Sequence, residues 1–361
     1  MRTTHGFFPV LIVNMNCLRF SATTVLRKTL CLQFASLALV LLCLFATQVF
    51  AQDQEEPIRI ESNLVQLNIG VADSQGRPVT NLSRGDFAVY EDNVRQQIVN
   101  FEPVQKPFSL VLLLDVSGST LTFRTQLKQS ALRFIESLGA DDRVAVIAFN
   151  DKTKMLTTFT ADRKKIAYAI DIADGRGETQ FYKALDFALN KLAVEKQRRK
   201  AIVVLTDGID STLRRTDREL AARAQTNEQA VASIKPDANP TMSAVLKAAD
   251  RQNVTIYPLA LPSGDVKRIP FPDPTQIAIY TSAHARLQTL ADRTGGRLNE
   301  INRLDQLSRI YAEVAAELRT LYTIAYQPPA SRPRDGSFRA IRIEVARPEL
   351  IARTRPGYYA R

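Results

Sequence analysis

Phe108-Ser109-Leu110-Val111-Leu112-Leu113-Leu114-Asp115 restricts the fold more than any other segment of the chain. It is apolar at consecutive positions, so as a strand it needs cover on both faces, the condition of a parallel sheet between two layers of helices. After it, Phe123, Leu127, Ala131, Phe134, Ile135 and Leu138 step by three and four, which gives a helix one face to bury. Strand-like runs of the same kind recur at 143–149, 201–206 and 254–260, and helical patterns at 180–195, 241–251 and 282–294. This alternation predicts a doubly wound, mostly parallel α/β domain. The polar, Ala- and Gln-rich stretch 216–240 lengthens one connection; it is expected to be partly helical and broken at Pro236 and Pro240.

On either side the period falls to two. Short bursts at 64–71 and 87–90 are separated by turn clusters such as Asp73-Ser74-Gln75-Gly76-Arg77-Pro78. After a last helix at about 303–319, β patterns return at 321–326, 338–345 and 351–359, with Asp335-Gly336 as a turn signal. The expected organisation is a small all-β domain built from 52–107 and 321–361, into which an α/β domain at 108–320 is inserted.

Residues 30–50 are almost uninterruptedly apolar, follow Arg27 and Lys28, and end in Val49-Phe50-Ala51. Residues 1–51 therefore read as a secretory signal cleaved after Ala51. About 21 apolar residues also suffice to span a bilayer, so an uncleaved anchor is the alternative. In both cases the remainder is exported, to the periplasm, the cell surface or the medium, and membrane contact is limited to that N-terminal anchor. Met15 begins a more ordinary signal, and Leu42 before Cys43 argues against lipidation.

Composition excludes several chemistries. Cys17, Cys31 and Cys43 all precede residue 52, which leaves the exported part without thiolate metal sites or disulfides. His284 is its one histidine, in a helix-like context without a nucleophile elbow, so a Ser-His-Asp hydrolase is not expected. Net charge is +11, but Arg2, Arg19, Arg27 and Lys28 contribute four of those charges within the signal. Arg198-Arg199-Lys200 and the C-terminal arginines lack interleaved aromatic platforms, so they read as solvated charge and no nucleic-acid partner is expected.

In doubly wound sheets ligands bind beyond the carboxyl ends of the strands. The first apolar run ends in Asp115-Val116-Ser117-Gly118-Ser119, a carboxylate and two hydroxyls at alternate positions, with Gly118 expected to permit the tight turn. The run at 201–206 leads to Asp207-Gly208, and Gly177-Glu178-Thr179 ends a loop before a helix. Asp115, Ser117, Ser119, Thr179 and Asp207 are hard oxygen donors, suited to Mg²⁺, with Mn²⁺ or Ca²⁺ as alternatives. An aspartyl-phosphate phosphatase needs a second acid two residues after the first, where this chain has Ser117.

In order and context these residues resemble the metal-ion-dependent adhesion site of von Willebrand factor type A domains, over about 108–320. Gly85-Asp86-Phe87-x-Val89-x-Glu91-Asp92 and Arg355-Pro356-Gly357-Tyr358-Tyr359 resemble flanking pieces of exported bacterial proteins of that kind. The resemblance implies a Rossmann-like fold and a non-enzymatic, Mg²⁺-dependent binding module. Ser117, Ser119 and Thr179 would contact the metal, Asp115 and Asp207 would hold it directly or through water, and a partner's Asp or Glu would complete the shell. Glu178 departs from the family, which commonly has glycine there, and is a candidate for the outer shell. Asp210 is another, with capping of the following segment as its alternative role. The competing expectation is a structural or assembly protein of the cell envelope whose metal site is unused.

Overall fold

Strands are numbered along the chain: β1 (Val65–Ala72), β2 (Phe87–Glu91), β3 (Val94–Gln96), β4 (Ile98–Glu102), β5 (Phe108–Asp115), β6 (Arg143–Phe149), β7 (Thr153–Thr160), β8 (Arg199–Thr206), β9 (Val254–Ala260), β10 (Asn299–Glu300), β11 (Tyr322–Tyr326), β12 (Phe338–Val345), β13 (Ile351–Arg353) and β14 (Gly357–Tyr359). The helices are α1 (Arg124–Glu136), α2 (Arg163–Asp171), α3 (Phe181–Leu192), α4 (Ser211–Ala221), α5 (Asn227–Ser233), α6 (Pro240–Gln252), α7 (Pro274–Thr294) and α8 (Leu307–Arg319). This computed structural model describes residues 64–360 except 105, 196–197, 236–237 and 330.

The unbroken apolar run of β5 lies inside a six-stranded sheet of order β10-β9-β8-β5-β6-β7. Neighbours are parallel except β7, which runs antiparallel to β6 at the edge. Counted from β5, the order is that of a doubly wound sheet whose direction of winding reverses between β5 and β8. Leu114 pairs with Leu205 there, which brings the carboxyl ends of both strands level.

Alternate side chains of each strand enter separate cores. Leu110, Leu112 and Leu114 pack with Phe134 of α1, Ile166 of α2 and Tyr311 of α8, whereas Val111 and Leu113 pack with Leu185 of α3, Val245 of α6 and Leu287 of α7. Helix cover on both faces is why these strands are apolar throughout.

The flanking strands form two antiparallel sheets, β13-β1-β11-β4 and β14-β12-β2-β3, each mixing strands from before and after the α/β section. β1 pairs with β11 and β2 with β12. Leu67, Ile69, Val89, Tyr322 and Ile324 share one core between the sheets. The described residues belong to one compact unit.

Several elements differ from expectation. The 351–359 pattern is two short strands, β13 on β1 and β14 on β12, separated by Pro356, which has no N–H to give a ladder. Pro240 does not break a helix; it occupies the first turn of α6, where its missing N–H costs nothing, behind an Asn239 cap to Thr241 and Met242. α7 starts at Pro274, eight residues earlier than its apolar pattern, because Asp273 and Gln276 form a capping box. Arg199 is not solvated charge: it is buried, donating from Nε to Thr323 Oγ1 (3.0 Å) and from Nη2 to the Pro103 carbonyl (2.9 Å). Nor are the C-terminal arginines all solvated, for Arg355 and Arg339 are buried.

Residues 1–51, expected to be an export segment, lie outside the described residues. Among the described residues no helix is long and apolar enough to cross a membrane.

Candidate metal centre

Asp115 is the last residue of β5 and is 3% exposed. Its Oδ1 accepts the Ser117 N–H at 2.9 Å, which folds the chain back on itself, and its Oδ2 accepts the Thr206 hydroxyl at 2.9 Å from the adjacent strand end. Ser117 stands at the start of a 3-10 turn over 118–123 without capping it through its side chain, and the Ser117 and Ser119 hydroxyls stand 3.2 Å apart. Gly118 is not the residue that needs a left-handed backbone. The positive φ, 100°, falls at Gly177, whose carbonyl accepts the Gly118 N–H at 3.1 Å.

Asp207 follows β8 and is 7% exposed. Its Oδ1 accepts the Ile209 N–H at 3.0 Å across Gly208, where φ is 79°. Behind it, a Cβ at Gly264 would stand 2.3 Å from the Asp207 carbonyl oxygen, so only glycine fits there.

Thr179 is brought in by a network between loops. Its N–H donates to Ser211 Oγ at 3.0 Å, and the Ser211 N–H donates back to the Thr179 carbonyl at 2.8 Å. Asn150, just beyond β6, accepts the Gln180 N–H on its carbonyl and donates its side-chain amide to the Arg176 carbonyl at 2.6 Å. Ser117, Ser119, Thr179 and Asp207 line one cavity of about 540 Å³, with Glu178 exposed on its rim. Asp115 does not line that cavity; it is buried and bonded to Ser117 and Thr206. Asp210 has the capping role: Oδ1 accepts from Thr212 and Leu213 N–H at the start of α4, and Oδ2 from the Tyr182 N–H.

Electrostatically the two carboxylates are without a bonded cation, although Arg214, Arg215 and Arg218 line the same cavity. Burial, followed by the Asp207 carboxylate, pushes the Asp115 carboxyl up to about 7, and burial also raises Asp207 against the hydroxyls of Ser119 and Ser263. No Lys or Arg is hydrogen-bonded to either carboxylate among the described residues. A cation relieves both the desolvation and the mutual repulsion. Among the described residues no three His, Cys, Asp or Glu side chains cluster as a metal site, so a cation here draws on hydroxyls as well as the two carboxylates. That donor set suits a hard ion.

Besides Asn150 and Ser211, three contributors escaped the sequence reading. Thr206 orients Asp115 and also accepts the Gly208 N–H at 3.1 Å; its one signal was its place before the second aspartate. Arg124 donates to the carbonyls of Val116 (2.8 Å), Ser117 (3.0 Å) and Gly175 (2.7 Å) and pairs with Asp174, joining the serine turn to the threonine loop. Gly264 lies beyond the strand after Asp207 and had no local signal. His284 pairs on the surface with Glu300, Nε2 to Oε1 at 2.9 Å.

The family model for the von Willebrand factor type A domain matches residues 110–209, the span that holds Asp115, Ser117, Ser119, Thr179 and Asp207. Residues 110–209 are a von Willebrand factor type A domain. Such domains are often protein-interaction modules. Curated relatives include the voltage-dependent calcium channel subunit alpha-2/delta-2 of Homo sapiens and of Mus musculus, each 27% identical over 128 residues. That match covers 32% of this chain and spans only 11% of the relative. Similar solved structures include a von Willebrand factor type A protein from Catenulispora acidiphila (15% identity, TM-score 0.45, 84% of this chain and 64% of that one). Another is proximal thread matrix protein 1 from the mussel byssus, described with a zinc-occupied MIDAS motif (15% identity, TM-score 0.41, 62% and 48%).

Proposed function

We propose that the von Willebrand factor type A domain is an exported, non-enzymatic binding module that captures an acidic side chain of a partner protein through a divalent cation. The carrying observation is the pair of buried carboxylates, Asp115 and Asp207, associated with a cavity that also gathers the hydroxyls of Ser117, Ser119 and Thr179. When bound, the metal supplies an electrophile for the partner's carboxylate. The chain's own groups do the rest. Asp115 and Asp207 balance the charge of a divalent ion, and the serine hydroxyls, held 3.2 Å apart, and Thr179 offer neutral oxygens. Two carboxylates leave no excess negative charge to repel a third. Magnesium is the ion this donor set favours, with manganese and calcium next. Export rests on the apolar run at 30–50.

Thermal unfolding in EDTA and in added Mg²⁺, Mn²⁺, Ca²⁺ or Zn²⁺ tests the metal. Ligand at a hundred times its Kd stabilises the fold by about 2.7 kcal/mol. Wild type is expected to gain stability with Mg²⁺ or Mn²⁺, and Asp115→Ala and Ser119→Ala to gain none, with circular dichroism establishing that both are folded. Equal gains in all three proteins would refute the site.

A further inference from the structure

One wall of the cavity is not used by the metal donors. Arg214, Arg215 and Arg218 line it. They follow Ser211 on α4 by three, four and seven residues, so they form one stripe on the helix face beside the cavity. All three are exposed, and among the described residues none makes an ion pair or a side-chain hydrogen bond. Two acids share the helix: Asp217 is buried and bound at both oxygens by Arg286, and Glu219, four residues after Arg215, is exposed and makes no ion pair with the stripe among the described residues. Glu178 on the rim is the one other acid lining the cavity besides Asp207.

Local stability does not account for this stripe. Like charges four residues apart, as at Arg214 and Arg218, oppose helix formation. Cations near a helix N-terminus also oppose its dipole, and the acid at that end of α4, the Asp210 cap, is already engaged by the Thr212, Leu213 and Tyr182 N–H groups. Three guanidinium forks aimed along one cavity wall suit carboxylates, which they bind in bidentate fashion.

We propose that the arginine stripe reads an acidic segment of the partner: the carboxylate on the metal, then two more at two-residue intervals in an extended strand. This rests on the metal-bridge reading of the same cavity. The spacing follows from geometry. Arg214 and Arg218 are separated by about 6 Å along the helix axis, and same-side residues of an extended chain by about 6.6 Å. From Ser211 to Arg218 the stripe is only about 10 Å long and lies against a cavity, which suits a short peptide rather than a polysaccharide or a membrane surface.

The test uses the protein from residue 62 on, which forms one compact unit, and a fluorescent synthetic peptide with one aspartate followed at two and four residues by glutamates. A control peptide carries glutamines at the two later positions. In Mg²⁺, wild type is expected to bind the triple-acid peptide about tenfold more tightly than the control, the size of two good exposed ion pairs. Arg214→Gln/Arg215→Gln/Arg218→Gln should abolish that preference while changing control binding by no more than about twofold. Raising salt should erase the preference in wild type. Equal affinity for both peptides in wild type, or equal losses for both in the variant, overturns the stripe while leaving the metal bridge standing. Control-peptide binding that is indifferent to EDTA overturns the metal bridge itself. Arginine-dependent capture of heparin that is tighter than peptide binding and indifferent to EDTA assigns the stripe to a polyanion and overturns the proposal.

Discussion

Arg124 supplies no donor to the proposed metal centre but ties together the segments that carry the donors. Its guanidinium spans the carbonyls of Val116, Ser117 and Gly175, so the turn that carries Ser117 and Ser119 and the loop that leads to Thr179 share one clamp. Its side chain is 11% exposed, which keeps those hydrogen bonds out of competition with water. Arg124→Met keeps the bulk and removes the clamp. It is expected to lower Mn²⁺ affinity by about tenfold to a hundredfold, the usual loss when a partner that orients a ligand is removed. Arg124→Lys should not restore it, because an ammonium lacks the planar fork that reaches both loops. Manganese titration followed by electron paramagnetic resonance reads both, and an affinity equal to wild type in Arg124→Met would sink the argument. Of the five proposed donors, Asp115, Ser117, Ser119 and Asp207 were legible because they stand at or just past the ends of apolar runs, and Thr179 because it ends a loop before a helix. Arg124, Asn150 and Thr206 were not, since each acts by joining segments that only the sheet topology brings together.

Among elements, α4 matters most, because it begins at the cavity and carries both Ser211 and the arginine stripe. It is anchored to α7 by Asp217 and Arg286, which meet at 2.6 and 2.8 Å with both side chains 4% exposed. Removing one partner of such a pair leaves an uncompensated buried charge, which costs about 3–5 kcal/mol. Asp217→Ala is therefore expected to destabilise by that amount in urea unfolding. Replacing both residues together, Asp217→Leu with Arg286→Met, should recover most of the loss. Recovery absent from the double variant would show that α4 needs the charges themselves. At this scale the central strands β5, β6, β8 and β9 were legible because burial on both faces makes their middle positions almost continuously apolar, with polar residues mostly at the strand ends. The edge strand β7 was not, for it alternates Thr, Lys and Met and is only half-buried. The three-residue strands β13 and β14 carry too few positions to show a period.

Across the whole molecule, residues far apart in the chain hold the flanking sheets together and join them to the central one. Glu91, 1% exposed, accepts the hydroxyls of Tyr326 (2.7 Å) and Tyr358 (3.1 Å) and pairs with Arg332 (2.5 Å), so the two flanking motifs meet at one carboxylate. Arg199 does the equivalent across layers, running from the start of β8 to Thr323 of β11 and to the Pro103 carbonyl. Because its burial disfavours the charged form, those hydrogen bonds offset a desolvation penalty as well as adding attraction. A molecule joined in this way should open as a unit. Native-state hydrogen exchange is expected to give amides of the β1–β11 and β5–β8 ladders the same opening free energy. Arg199→Met should lower it in both ladders together, by about 1.5–3 kcal/mol, the range for a hydrogen bond to a charged group. If the β1–β11 ladder alone became labile, Arg199 would be serving only the flanking sheet, and the two layers would be separate cooperative units.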